Sequence, residues 1–224
     1  MIDLHTHSNI SDGNLSPEIL VKEAIKQGLT ALALTDHDSI NGLENARIAA
    51  ASYNKIDGKA EKFRFITGVE LNINWSGGKG VPGIGPGAEF HLLGLGFTPN
   101  PAFIAAIDDL SCRREARNRG ILEKMYELSM IDDIDGAWRE LLAIAGHGLQ
   151  GNSQSNSLGR LHFAVFLIKR KLVRNIDQAF ARYLGVGKPL YVPKEGLRFD
   201  EAAALIRESG GIPVLAHPAS LYVA

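Results

Sequence analysis

The residues best placed to do chemistry come first, in Ile2-Asp3-Leu4-His5-Thr6-His7. Side chains along a strand alternate faces, so His5 and His7 are expected side by side with Asp3, opposite Ile2 and Leu4. Two imidazoles aimed at one volume are costly to bury unpaired, and a divalent cation removes that cost. Asp12 follows in a turn closed by Gly13, near enough to add a carboxylate oxygen. The plainer reading of His-Thr-His alone is a half-exposed pair on an edge strand, so the other candidates decide the matter.

Those candidates recur at similar places. Thr35-Asp36-His37-Asp38 follows an apolar run, and His217 closes Ile212-Pro-Val-Leu-Ala-His-Pro218. His7, His37 and His217 therefore share one address, the carboxyl end of a strand, where α/β folds gather functional residues. Asp36 and Asp38 are weaker candidates, and Asp38 reads equally as the cap of the next helix. Glu70 lies inside an apolar stretch just past Gly68, where its carboxylate needs either a cation or a buried Arg or Lys. His91 starts an apolar strand; a single histidine there is commonly a core residue, and it is a candidate through the company it keeps. Arg117 and Arg160 are candidates for gripping phosphate, because a planar guanidinium matches its oxygens. For most of the arginines near them a solvated helix face beside Glu115 or Glu123 is the plainer reading.

The elements that must position these side chains follow from periodicity. Ser16-Pro17 reads as a helix start and Gly28 as its stop, with Leu20, Val21, Ala24 and Ile25 at helical spacing. Leu29–Thr35 is apolar on both faces, as a covered parallel strand is. A helix is expected over 40–53, and strands over 63–73 and 89–97. Between them 76–87 is too rich in Gly and Pro for regular structure; it lacks P-loop spacing, and Lys79 is its one candidate anion contact. From 100 to 183 the pattern turns to consecutive helices, over 101–130, 134–145, 161–171 and 175–183, with a polar loop at 153–157. Leu190-Tyr191-Val192 reads as a short strand, and Asp200 as the cap of a helix ended by Gly210-Gly211. The expected organisation is a barrel part over 1–99, a helical insertion over 100–184, and a second barrel part over 185–224.

The totals narrow the function. A chain of 224 residues with 45% apolar and 22% charged residues fits a globular fold. Its net charge of −1 supplies no broad positive field for a long nucleic acid. Cys112 is the single cysteine, which excludes an internal disulfide and suits a reducing compartment. No signal pattern or membrane-length apolar run stands in the sequence, so a cytoplasmic protein without membrane contact is expected.

Taken together, Asp-Leu-His-Thr-His-Ser with Ser-Asp-Gly, Thr-Asp-His-Asp, Gly-Val-Glu, His-Leu-Leu-Gly and Ala-His-Pro resemble the polymerase-and-histidinol-phosphatase (PHP) metallophosphoesterases. The likeness runs in the family's order over almost the whole chain. It implies an α/β fold, an irregular (β/α)7 barrel with a helical insertion. Two or three divalent metal ions (Mn, Fe or Zn) would be held by His5, His7, Asp12, His37, Glu70, His91 and His217, with Glu70 bridging two of them. Arg117-Asn118 and Gly159-Arg160-Leu161-His162 resemble the small-nucleotide branch, which removes the 3′-phosphate of nucleoside 3′,5′-bisphosphates or trims short RNAs from the 5′ end. Arg117, Asn118, Arg160 and His162 would then bind substrate, with Arg160 steadying transition-state charge and His162 or His217 protonating the leaving group. The expected reaction is phosphate monoester hydrolysis by metal-activated hydroxide. The expected partner is a small phosphorylated nucleotide or short oligonucleotide. Rivals are a histidinol-phosphate or general phosphomonoesterase, an amidohydrolase-like barrel, and a non-catalytic metal-binding PHP module. The family pattern continues to a Gly-x-Asp-x-His motif that this sequence lacks, so a fragment short of its last one or two strands, with at least one metal site short of ligands, is expected.

Overall fold

Ala31–Leu34 is four consecutive buried residues, and buried backbone N–H and C=O groups must be paired, so this strand needs neighbours on both edges. In the computed structural model, which describes residues 1–57, 63–74, 90–145 and 158–218, it has them. This strand, β2, is parallel to β1 (Ile2–Thr6) on one side and to β3 (Arg64–Asn74) on the other. β4 (Phe90–Leu95) then pairs antiparallel with β3, and β6 (Ile212–Leu215) antiparallel with β4. The two-residue β5 (Leu197–Arg198) pairs with the end of β3. The sheet order is β1-β2-β3-β4-β6, a mixed α/β arrangement that is open among the described residues. The Gly-rich stretch with Lys79, the loop at 153–157 and everything after Pro218 lie outside the described residues.

Gly68 lets β3 come close to β2. A Cβ there would stand 2.5 Å from the Leu34 carbonyl oxygen and 2.6 Å from Thr35 Cγ2. That close approach brings Glu70, two residues further along, beside His37, with which it forms a parallel bridge.

The chain forms two compact units, Met1–Leu110 with Glu195–Ala224, and Ser111–Lys194. In the first, α1 (Pro17–Lys26) starts as its sequence predicts, with Ser16 Oγ accepting the Ile19 N–H at 3.4 Å and Gly28 taking a left-handed φ of 78°. Val21 and Ala24 of α1, Ala46 and Ala50 of α2 (Leu43–Asp57), and Ile206 of α7 (Phe199–Glu208) pack with Leu32, Leu34, Leu71 and Phe103 in one core. Phe103, Ile107 and Leu110 join it from the first turns of α3 (Pro101–Glu127).

The second unit has its own core. Ile121, Leu122 and Met125 of α3 pack with Leu141 of α4 (Ile134–Ile144) and with Phe163, Phe166 and Leu167 of α5 (Arg160–Lys169). Its last helical segment starts as α6 (Ile176–Ala179) and widens to a π-helical turn over Phe180–Leu184.

Three local expectations are corrected. Leu190–Val192 is not a strand: Leu190 is buried in the second core, and the segment through Gly196 has no regular structure until β5. Asp200 is not a helix cap but lies in the first turn of α7, where it pairs with Arg198 at 2.8 Å. Asp38 does not stand at the N-cap of α2, which starts five residues on at Leu43. Its Oδ1 accepts the Asn72 backbone N–H at 2.8 Å, and its left-handed φ of 46° turns the chain so that its own N–H donates to Glu70 O at 2.9 Å.

Candidate metal centre

Because β4 runs against its neighbours, its first residues lie at the rim where β1, β2 and β6 end. His91 pairs with Asn72 and Leu92 with Leu215, while His37 bridges to Glu70. His5 and His7 arrive at the end of β1, and His217 two residues past β6. Six of the seven side chains expected to share a site are thereby brought to one rim.

Their centre is the carboxylate of Glu70, which is only 1% exposed. Oε2 lies 3.1 Å from His5 Nε2, 3.1 Å from His7 Nε2 and 3.2 Å from His37 Nδ1. Oε1 lies 2.9 Å from His91 Nδ1 and 3.0 Å from His217 Nε2. Burial alone would favour protonated Glu70, but hydrogen bonds from His5, His7 and His91 and the charge of His37 outweigh it and hold the group ionised far below the usual carboxylate range. Asp12 closes the open side, with Oδ1 3.6 Å from His7 Nδ1 and Oδ2 3.5 Å from His37 Nε2. The His37 hydrogen bond, working against partial burial, lowers its pKa to about 2. His7 is pulled the other way: burial opposes its protonation, but Glu70, Asp12 and Asp36 together raise its pKa.

This donor set fits divalent cations better than protons. Two carboxylate oxygens offer about four lone-pair sites, fewer than the ring nitrogens crowding them. His91 Nδ1 and His217 Nε2 lie 3.2 Å apart, so at most one proton fits between them. Among the described residues, buried His37 Nδ1 and His91 Nε2 have no hydrogen-bond partner. Lone pairs aimed at shared positive charge resolve all three features. Among the described residues, three groups have ligand atoms within 4.8 Å of one another: His5-His7-Glu70, His7-Asp12-His37 and His37-Glu70-His91.

A second layer holds these ligands, and sequence reasoning missed most of it. Asp36 is 1% exposed, and its carboxylate is held by serines. Its Oδ1 accepts the Ser8 N–H at 2.8 Å and the Ser11 hydroxyl at 2.6 Å, and its Oδ2 accepts the Ser8 hydroxyl at 2.7 Å. The turn carrying Asp12 is pinned by the Gly13 N–H, which donates to Ser8 O at 2.9 Å. A Cβ on Gly13 would stand 2.2 Å from His7 O, so only glycine fits. The strings Ser-Asp-Gly and Thr-Asp-His were visible in the sequence, but nothing in them says that they meet.

The other site candidates belong to the second unit. Arg117 and Asn118 are buried, the guanidinium donating to Asn118 Oδ1 at 2.8 Å while Asn118 Nδ2 donates to Leu158 O at 2.9 Å. Arg160 lies over the Phe180 ring at 5.7 Å. His162 Nδ1 accepts the Gly159 N–H at 2.9 Å, which leaves the proton of the neutral ring on Nε2.

The sheet and the cluster define a class: an α/β protein with a multi-histidine metal-type site organised on one buried carboxylate. The chain belongs to the PHP domain family, whose model matches residues 3–183. It is 36% identical over 217 residues to a 5′-3′ exoribonuclease of Haemophilus influenzae, covering 96% of this chain and 68% of the relative. It is 32% identical over 218 residues to a 3′,5′-nucleoside bisphosphate phosphatase of Chromobacterium violaceum, covering 97% and 66%. A solved structure from Chromobacterium violaceum, described as an amidohydrolase with bound sulfate and no metal, matches with a TM-score of 0.76 at 30% identity, over 97% of this chain and 67% of that one. The chain thus spans about two thirds of the length of the curated relatives it matches. No helix among the described residues is long and apolar enough to cross a membrane.

Proposed function

We propose that this chain forms the metal-binding core of a phosphoesterase that removes the 3′-phosphate of nucleoside 3′,5′-bisphosphates or trims short RNAs from the 5′ end. The observation that carries the reading is the convergence of five imidazoles on Glu70, in a chain whose named relatives act on nucleotides or RNA. The sulfate in the Chromobacterium violaceum structure supports it, being a tetrahedral oxyanion of phosphate's shape. The fold that accompanies this reading is an irregular (β/α)7 barrel carrying a helical insertion.

Bound divalent ions, two or three of Mn, Fe or Zn, supply Lewis acidity that offsets phosphate charge and acidifies an attacking water. The chain's own contribution is to place the donors. Glu70 bridges the His5-His7 side and the His91-His217 side, one oxygen to each, and Asp12 with His37 completes the rim. Arg117, Asn118, Arg160 and His162 are assigned to substrate by residue type and by the family resemblance of their two short stretches. His162 or His217 gives the leaving alkoxide its proton, and each has a competing engagement, at the Gly159 N–H and at Glu70 Oε1 respectively.

Phosphate release from adenosine 3′,5′-bisphosphate with manganese added tests the reading, with a 5′-phosphorylated short RNA as the second substrate. Turnover of either, lost with chelator, is the expected result. A metal-loaded protein that turns over neither, or that instead hydrolyses amides, overturns it.

A further inference from the structure

We propose that Ser11 and Asp36 form a positioning pair that holds the Nδ1 proton of His7, so that this ring offers Nε2 and not Nδ1 to a cation. The inference rests on reading the histidine cluster as a metal centre. His7 is shared by two of the candidate ligand groups, His5-His7-Glu70 and His7-Asp12-His37. Its Nε2 faces Glu70 at 3.1 Å, and its Nδ1 faces Asp12 at 3.6 Å. Position alone allows either nitrogen to bind. The hydrogen bonds behind the ring do not.

Ser11 Oγ has one proton and three candidate acceptors: Asp36 Oδ1 at 2.6 Å, His7 Nδ1 at 3.3 Å and Asp12 Oδ1 at 3.4 Å. A hydroxyl donates where the bond is shortest and the acceptor is charged, which is Asp36. The remaining lone pairs of Oγ then face His7, and a 3.3 Å approach between Oγ and Nδ1 is a bond only if Nδ1 carries the proton. The chain of donation runs from His7 Nδ1–H to Ser11 Oγ–H to Asp36. With Nδ1 protonated, the ring's one metal-binding lone pair is on Nε2, and His7 joins His5 and Glu70.

Asp36 is suited to anchor this chain and not to bind an ion itself. Both of its oxygens are taken up by donors from Ser8 and Ser11. Its backbone carbonyl accepts the Glu70 N–H at 3.2 Å, and its next residue is His37. Through its carboxylate and its backbone carbonyl, this one buried residue ties together the segments bearing His7, His37 and Glu70. Partners of this kind fix the tautomer of a ligating histidine, and losing one typically weakens metal binding tenfold to about a hundredfold.

The test compares the unaltered protein with Ser11→Ala and Asp36→Asn, using zinc titration, metal stoichiometry and nitrogen spectra of 15N-histidine-labelled, zinc-loaded protein. In the unaltered protein His7 should show a protonated Nδ1 and a metal-bound Nε2. Ser11→Ala should weaken zinc binding roughly tenfold or more and shift the His7 Nδ1 signal, with the full complement of ions at saturation. Native affinity and unchanged His7 signals in Ser11→Ala overturn the proposal, even where that variant melts at a lower temperature. Asp36→Asn that folds but saturates with one ion fewer also overturns it, since Asp36 would then be a ligand. If Asp36→Asn does not fold, Ser11→Ala decides alone. An unaltered protein that takes up no metal sinks the metal-centre reading instead, before the variants are compared.

Discussion

Glu70 Oε1 and His91 Nδ1 meet at 2.9 Å although 21 residues separate them, because antiparallel β3 and β4 put them on one face at diagonal positions. Glu70 is opposite Leu93 and His91 opposite Asn72, and residues two apart on a strand share a face. The diagonal brings a carboxylate and an imidazole from two apolar strands into the same buried volume. Each would be costly there alone.

Glu70→Gln should remove the shared charge on which five imidazoles converge. Metal affinity should fall by more than the roughly hundredfold that loss of an outer partner costs. Phosphate release should fall with it. Metal content after dialysis and turnover with excess manganese check this; full metal content with retained turnover contradicts it.

Acidity should act on the metal-free protein through Asp12. Its folded pKa of about 2 is below the ordinary 3.8, so its contribution to stability is complete above the ordinary value and is lost as pH falls toward 2. His7 has the opposite sign: with its pKa raised, its contribution is present below the ordinary histidine value and fades as pH rises through the raised one. Urea melts of chelated protein should show a shallower loss of stability between about pH 4 and pH 2 in Asp12→Asn than in the unaltered chain. An identical slope in the two proteins contradicts this.

Gly68→Ala should strain the β2–β3 contact, because the new methyl meets the Leu34 carbonyl at 2.5 Å and backbone cannot swing aside as a side chain can. A cost of about 1–3 kcal/mol in denaturant melts is expected. Metal affinity should fall too, since the same contact sets Glu70 beside His37. An unchanged midpoint would mean that the strands separate at no cost.

Arg160→Lys keeps a positive charge but loses the planar fork. If Arg160 grips substrate phosphate, KM for the bisphosphate should rise by about tenfold while metal content stays unchanged. Steady-state kinetics check it, and an unchanged KM removes Arg160 from the substrate site.

What the chain order alone determined is the set of groups and their strands. His5 and His7 at period two, His37 and His217 just past apolar runs, and Glu70 and His91 inside them could all be read because alternation and apolar burial are local properties. Helix α1 was legible for the same reason, with its start, stop and apolar face all inside 13 residues, Ser16 to Gly28. The supposed strand at Leu190–Val192 failed because a short apolar run looks alike whether it pairs in a sheet or plugs a helical core. Only the tertiary structure decided that β4 runs backward, which brings His91 to the rim where the parallel strands end. It alone decided that the Asp36 carboxylate holds Ser8 and Ser11, and that Asp38 Oδ1 takes the Asn72 N–H of β3. Those outcomes depend on pairings between segments 25 to 34 residues apart, and a sequence names the donors and acceptors without saying which will be within 3 Å of each other.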